Sequence, residues 1–179
     1  MVYLIKDDVM HIKEMIYLTH EADEGLWEYI RAHDSMIDEV RGSSYYSDPI
    51  AFELEDGDIK ESIRPYIMGR IVDVEQFLQK YQCDPAGGRA RVSFEVEDKF
   101  LEWNNRTFTV DFRNGACRLV NARAEHTVRL SVATLTTLLL GYKTAAKLER
   151  LGRLQADEET VQLIDDLLFG EIPYISDYI

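Results

Sequence analysis

The first third of the chain alternates between short apolar runs and polar turns, which predicts a small sheet and one helix. Residues 2–5 are apolar and residues 9–17 alternate imperfectly between apolar and polar positions, on either side of the polar turn Lys6-Asp7-Asp8, a pattern typical of an antiparallel hairpin. Thr19 is a favourable N-cap for a helix that ends near His33. Further elements are predicted over 37–41 (strand), near 45–46 (strand) and over 50–54 (helical turn).

From residue 67 onwards the pattern becomes that of a small α+β domain. A strand over 67–72 and a helix over 73–81 precede segments in which apolar and polar residues alternate, as in half-buried strands. Asn114-Gly115 predicts a hairpin turn between two of these strands. The strands are predicted around 92–96, 107–112, 117–119 and 128–130, and three helices over 132–140, from Thr144 to Gly152 and from Asp157 to Leu168. A helix, four strands and three helices in this order indicate the α+β class.

The charge is distributed unevenly along the chain. Residues 1–66 carry 6 Lys and Arg against 16 Asp and Glu, a net charge of −10, whereas residues 67–179 carry 14 against 17, a net charge of −3. Because composition shifts coincide with domain boundaries, we place a boundary near Pro65, between domains 1–66 and 67–179. Residues 1–66 supply about half of a domain's core, so we expect them to be the later part of a longer polypeptide or to need a partner.

The composition excludes several classes of function. The chain has 179 residues, 46% of them apolar, and a formal net charge of −13, so it suits neither nucleic acid nor an anionic membrane. The longest apolar stretch, around 134–140, is too short to cross a bilayer, and the start lacks the features of a signal peptide. Two cysteines without CxxC spacing predict a reduced, cytoplasmic protein.

The sequence contains no complete catalytic motif. The histidines do not have the spacing of a metal-binding helix face, and no serine or cysteine lies in a known nucleophile motif. Gly87-Gly88-Arg89-Ala90 is neither a dinucleotide-binding motif nor a P-loop. We therefore expect no metal site, and surface or capping roles for the four histidines, which are His11, His20, His33 and His126.

The last eleven residues, Phe169–Ile179, are unusually apolar for a chain end. Because exposing isoleucine and tyrosine side chains to water is unfavourable, we expect this tail to be docked. Docking would hold the terminal carboxylate of Ile179 in one place, where it could orient or deprotonate an amine. The alternative is that the tail only closes the core of the domain.

Four segments, taken in their order and spacing, carry a resemblance to a known family. They are Leu26–Ile30 with His33–Met36, Met68–Val74, Leu138–Tyr142 and Phe169–Ile179. Together they resemble the enhanced intracellular survival (Eis) family, which are acetyl-CoA-dependent N-acetyltransferases of the GNAT superfamily. The resemblance implies that residues 1–66 are the end of a degenerate GNAT-like domain and that residues 67–179 are a domain with the sterol carrier protein fold, a mostly antiparallel sheet with C-terminal helices.

The resemblance also implies that this chain works together with a catalytic GNAT domain, which precedes these residues in the family. Acetyl-CoA is expected to bind that N-terminal domain, since the family's pyrophosphate-binding loop is not found in this chain. The family's terminal carboxylate projects into the active site, which assigns Ile179 as the catalytic group, with Asp177 and Tyr178 as substrate-binding neighbours. The family usually ends in an aromatic residue, so any stacking role at this position is in doubt.

Partners and alternatives follow from the same resemblance. The implied partners are a cationic amine substrate, such as an aminoglycoside, a polyamine or a lysine side chain, and further copies of the chain in a homo-oligomer, for which the family suggests a hexamer. One alternative is a binding module for lipid or another hydrophobic ligand, with the apolar helix around 132–140 lining a tunnel. Another alternative is a purely structural assembly module.

Overall fold

A computed structural model of the chain describes residues 1–45, 50–54, 59–168, 170 and 172–175. The chain divides into two compact units, Met1–Ile63 and Arg64–Ile179. Each unit combines a sheet with helices, which confirms the predicted α+β class.

The first unit is built on the predicted hairpin. Strands β1 (Val2–Lys6) and β2 (Val9–Glu14) pair antiparallel, and the turn residues Asp7 and Asp8 both have positive φ, as a two-residue hairpin turn with a right-handed strand twist requires. Strand β3 (Glu39–Gly42) adds to β2 in parallel orientation. Helix α1 (His20–Arg31) begins at Thr19, whose hydroxyl accepts a hydrogen bond from the Ala22 amide, and α2 (Ile50–Glu53) follows β3.

The second unit contains a five-stranded sheet in the order β6-β5-β4-β7-β8. Its strands are β4 (Arg89–Glu97), β5 (Thr107–Arg113), β6 (Ala116–Leu119), β7 (His126–Ser131) and β8 (Leu154–Gln155). All neighbouring strands are antiparallel except β4 and β7, which are parallel. The Asn114-Gly115 turn has positive φ at both residues and joins β5 to β6 as predicted.

Four α-helices surround this sheet within the described residues, each beginning at a side-chain cap. They are α3 (Val74–Lys80), α4 (Val132–Leu139), α5 (Ala145–Arg150) and α6 (Glu158–Leu167), capped by Asp73, Ser131, Thr144 and Asp157 respectively. The predicted helix ends at Gly141 and Gly152 are confirmed, since both glycines have positive φ just beyond a helix. Short 3₁₀ turns lie at Pro85–Gly87 and Glu102–Asn104.

Two predictions about local structure are wrong. Residues 67–72 do not form a strand, because side chains rather than a neighbouring strand satisfy their backbone: the Ile71 amide donates to the Thr136 hydroxyl, and the Val72 carbonyl accepts from Trp103 and Asn104. Tyr45 likewise lies outside any strand, while Tyr46 falls outside the described residues. The short strand β8 was not predicted, since two residues carry no periodicity.

Among the described residues, the core of the second unit contains 24 buried hydrophobic residues, most of them from its sheet and its four helices. Helix α4 is buried as predicted: Leu135 and Leu138 are in the core, and so is Leu139. The apolar positions of α4 are therefore used in packing.

Candidate functional site

The three site residues predicted from the sequence, Asp177, Tyr178 and Ile179, lie outside the described residues. Of the tail that precedes them, Ile172–Ile175 is described and has neither helix nor strand. The side chains of Tyr174 and Ile175 are exposed. The predicted roles of Asp177, Tyr178 and Ile179 in catalysis and substrate binding therefore remain predictions.

The most highly connected polar group of the described chain is Asp98, which follows β4. Its side chain is fully buried and accepts hydrogen bonds from Arg70 Nη2 at 2.7 and 2.8 Å and from Asn104 Nδ2 at 2.9 Å. The Phe100 and Leu101 amides donate to the same carboxylate at 3.0 and 3.3 Å. We call Arg70, Asp98 and Asn104 the Asp98 network.

Asn104 extends this network to the start of α3. Its side-chain oxygen accepts from the Val74 amide at 3.0 Å, and its Nδ2 also donates to the Val72 carbonyl at 2.9 Å. The Trp103 indole donates to the same carbonyl at 3.0 Å. The network thus ties residues 70–74 to the loop between β4 and β5, and every polar atom of Asn104 has a partner.

The charge state of Asp98 follows from these contacts. Burial alone would raise its pKa, but the hydrogen bonds from Asn104, from the Phe100 amide, from Arg70 and from the Leu101 amide outweigh it and lower the pKa to about 2. Asp98 is therefore ionised at neutral pH and paired with Arg70. A carboxylate with such a low pKa is a poor general base. We therefore interpret the Asp98 network as structural: it connects residues 70–74 to the loop between β4 and β5.

The structure also brings together the two cysteines, which sequence reasoning left apart. Cys83 lies beside β6, where its amide donates to the Gly115 carbonyl at 3.1 Å and Gln82 forms a bridge with Ala116. Both thiols are buried, and they lie close enough to influence each other. Burial, and secondarily Cys83, raises the pKa of the Cys117 thiol far above its ordinary value, which is the opposite of an activated nucleophile.

Three of the four histidines make local contacts. Nε2 of His20 lies 3.5 Å from Glu24 Oε1, with both side chains exposed, and Nδ1 of His33 donates to the Tyr29 carbonyl. Nδ1 of His126 is hydrogen-bonded to the hydroxyl of the fully buried Thr160 at 2.9 Å. Because Thr160 is inaccessible, this pair joins β7 to the first turn of α6 and cannot attack a substrate.

An open groove of about 410 Å³ lies between residues 69–73, α3 and the end of α4. Its apolar floor includes Ile71 and Phe77, and Arg70, Asp73 and Lys80 lie at its sides. Both oxygens of Asp73 accept hydrogen bonds from Gln76, and Arg70 is neutralised by Asp98. Arg70 and Asp73 therefore already have partners within the chain, and the groove is not assigned to one kind of ligand.

Gly87 does not face a space that could hold the pyrophosphate of acetyl-CoA. A Cβ on Gly87 would lie 2.3 Å from the Asp166 carbonyl oxygen and 2.7 Å from Leu167 Cα. The glycine is thus required for close packing against the end of α6, and its backbone faces protein rather than an open anion site. The residues described here do not assign an acetyl-CoA site to this chain.

The described residues lack two further features. Within them, no group of three or more His, Cys, Asp and Glu side chains could hold a metal ion. None of the helices described is long and apolar enough to cross a membrane.

Comparison with known proteins gives a family match for each part of the chain. Residues 74–176, more than half of the chain, match the family model for the sterol carrier protein domain. The chain belongs to this family. Residues 1–71 match the acetyltransferase (GNAT) domain, so the sterol carrier protein domain directly follows a GNAT match.

The curated relatives are named as acetyltransferases. Two proteins of Streptomyces griseus, called "uncharacterized N-acetyltransferase" and "uncharacterized N-acetyltransferase ORF5", are each 26% identical over 170 residues, which is 93% of this chain and 40% of theirs. The chain therefore spans less than half the length of the curated relatives it matches.

Solved structures share the fold of the whole chain. A protein of Enterococcus faecalis, described as a probable N-acyltransferase, superposes with a TM-score of 0.87 at 27% identity and covers 99% of this chain with 45% of its own. A GCN5-related N-acetyltransferase from Anabaena variabilis (TM-score 0.77, 24% identity, 99% and 46%) and Eis1 from Mycobacterium abscessus (0.72, 23%, 96% and 43%) share the fold.

Proposed function

We propose that this chain is the C-terminal portion of an acetyl-CoA-dependent N-acetyltransferase of the Eis type, working with a catalytic GNAT domain that binds acetyl-CoA. The observation that carries the proposal is the arrangement of the matches. A GNAT match over 1–71 and a sterol carrier protein domain over 74–176 occur together, and proteins named N-acetyltransferase match across nearly the whole chain. Further copies of the chain in a homo-oligomer, and a cytoplasmic location, belong to the same proposal.

The chemical contribution of this chain is the terminal carboxylate of Ile179. An acceptor amine has a pKa of about 10 and is protonated near neutral pH, whereas only the neutral amine is a nucleophile. A carboxylate that is held at the amine accepts its proton directly or through one water, and general-base help of this kind is worth about 10²–10⁴-fold. Asp177 and Tyr178 would line the same pocket.

The acceptor class follows from charge. The net charge of −10 in residues 1–66 favours cationic acceptors such as aminoglycosides, polyamines or lysine side chains, because it raises their local concentration. This effect is a long-range electrostatic attraction, so added salt weakens it.

The test moves the carboxylate without changing the fold. In the native full-length polypeptide, deleting Ile179 or adding one glycine after it displaces the carboxylate, whereas Ile179→Ala leaves it at the same position. We expect the two displaced variants to lose about 10²–10⁴-fold in amine-dependent thiol release from acetyl-CoA, with an unchanged oligomer by light scattering. Activity equal to wild type in both displaced variants would contradict the role of Ile179.

A second candidate function, binding of a lipid or another hydrophobic ligand, is favoured by the sterol carrier protein match. The apolar positions of α4 support it less, because they pack in the core. Native mass spectrometry of the purified protein tests it: a stoichiometric co-purifying lipid would support this candidate, and its absence after lipid addition would remove it.

A further inference from the structure

A patch of exposed hydrophobic side chains surrounds the Asp98 network in the second unit. Met68 is 96% exposed, Phe100 82%, Val72 60% and Trp103 57%. Two contacts join members of this surface in pairs: the Arg70 guanidinium lies 5.5 Å from the centre of the Phe100 ring, and the Trp103 indole donates to the Val72 carbonyl. We call these four residues with Arg70 the Met68–Trp103 patch.

Hydrogen bonds fix the backbone that carries Val72, Phe100 and Trp103 in the patch. The loop that carries Phe100 and Trp103 is held by hydrogen bonds from the Phe100 and Leu101 amides to Asp98, and Asn104 holds residues 72–74. A rigid surface loses little conformational entropy when a partner covers it. Exposed tryptophan, methionine and phenylalanine around an arginine are also the residue types that are enriched in protein interfaces.

The charge in the patch suits burial by a partner. Arg70 already has its counter-ion in Asp98, whose side chain is fully buried. Covering Arg70 would therefore leave no charge unpaired, which is the usual obstacle to burying an arginine.

The length of the relatives indicates what covers the patch. The Enterococcus faecalis structure reproduces 99% of this chain with only 45% of its own length, and the Streptomyces griseus relatives do so with 40% of theirs. More than half of each relative is thus additional polypeptide. A second copy of this chain is the alternative occupant, and the concentration dependence of the protection tests it.

We infer that the Met68–Trp103 patch is the docking surface for the acetyltransferase domain that supplies the rest of the enzyme. This inference rests on the proposed function, since it names the surface through which the sterol carrier protein domain meets its catalytic partner. Ser, Asn or Gln in place of Met68 and Phe100 would weaken that contact and leave the fold intact, because both side chains are exposed.

Hydroxyl-radical footprinting read by mass spectrometry tests the inference. It compares the 179-residue chain with the native full-length polypeptide purified from its source cells. We expect oxidation of Met68, Phe100 and Trp103 to fall at least fivefold in the full-length protein, with Met36, which is exposed in the first unit, as an internal control of equal reactivity in both. In full-length M68S/F100S the protection of Trp103 should be lost, while the melting temperature of the 179-residue chain is unchanged by the same substitutions.

Three results would overturn the docking surface. The first is equal oxidation of Met68 and Trp103 in the two proteins. The second is protection in the 179-residue chain alone that rises with its concentration, which would assign the patch to a second copy. The third is a native polypeptide of 20.8 kDa that purifies with no acetyltransferase subunit. A protected patch without acetyl transfer would instead contradict the proposed function, and acetyl transfer with an unprotected patch would contradict the docking surface alone.

Discussion

The two units of this chain differ in how much of their hydrophobic surface they bury. Among the described residues of Met1–Ile63, only Met10 and Ile30 are buried hydrophobic side chains, whereas Arg64–Ile179 has a core of 24. Because burial of apolar surface is the main stabilising term, the second unit should hold most of the stability of the chain. The first unit, which also carries most of the negative charge, depends on local hydrogen bonds and on few core contacts.

The largest effect is expected from removing core side chains. Phe94→Ala in the second unit should lower the free energy of unfolding by about 3–5 kcal/mol, because Phe94 is fully buried and packs edge-to-face on Phe112. Met10→Ala should instead loosen only the first unit. Denaturant unfolding monitored by amide hydrogen exchange distinguishes the two units. Unfolding of both units in a single transition, whichever residue is substituted, would contradict the difference between them.

A smaller effect is expected from removing one arginine–carboxylate pair in each unit, Arg70–Asp98 in the second and Arg41–Glu39 in the first. Asp98→Asn should cost about 1.5–3 kcal/mol, since it removes a charged acceptor of several buried hydrogen bonds. Glu39→Gln removes an exposed pair with two contacts to Arg41, at 2.8 Å each, and should leave stability unchanged within error because water screens such pairs. Chemical denaturation measures the free energy of unfolding of both variants. Equal losses would show that burial does not make the Asp98 pair more stabilising than the Glu39 pair.

The stability that the buried Asp98 provides should depend on pH. The pKa of Asp98 is lowered to about 2 in the folded chain, against about 3.9 when unfolded. Its contribution is therefore complete above about pH 4 and is lost as the pH falls through about 2, because the unfolded state binds the proton more readily. Thermal melts from pH 6 to pH 2 should fall less steeply in Asp98→Asn than in the wild type; parallel curves would contradict this assignment.

The smallest effect concerns two matched helix caps. Thr19 in the first unit and Thr144 in the second each accept a hydrogen bond from a helix amide at 3.2 Å. Replacing either threonine by alanine should cost about 1 kcal/mol of the unit that contains it. Hydrogen exchange of α1 and α5 shows where each loss appears, and a loss of protection in the opposite unit would contradict independent units.

Much of the fold was predictable because many of its elements are specified by neighbouring residues. Thr19, Thr144 and Asp157 cap helices through hydrogen bonds to amides three residues later, so short sequence patterns predict them. The candidate site was less predictable. Asp98 has a local signal, since its side chain accepts from the Phe100 amide two residues on, but nothing in the sequence connects it to Arg70, which lies 28 positions away.

By itself the sequence determined the α+β class, the hairpin at Asp7-Asp8, the turn at Asn114-Gly115 and the helix caps, because these depend on local conformation and on periodicity. Only the tertiary structure decided the parallel pairing of β4 with β7, the two-residue strand β8 and the contact between Cys83 and Cys117. It also decided that residues 67–72 bond to side chains of distant elements instead of forming a strand. These features arise from contacts between segments far apart in the chain, whose geometry exists only once the core has packed.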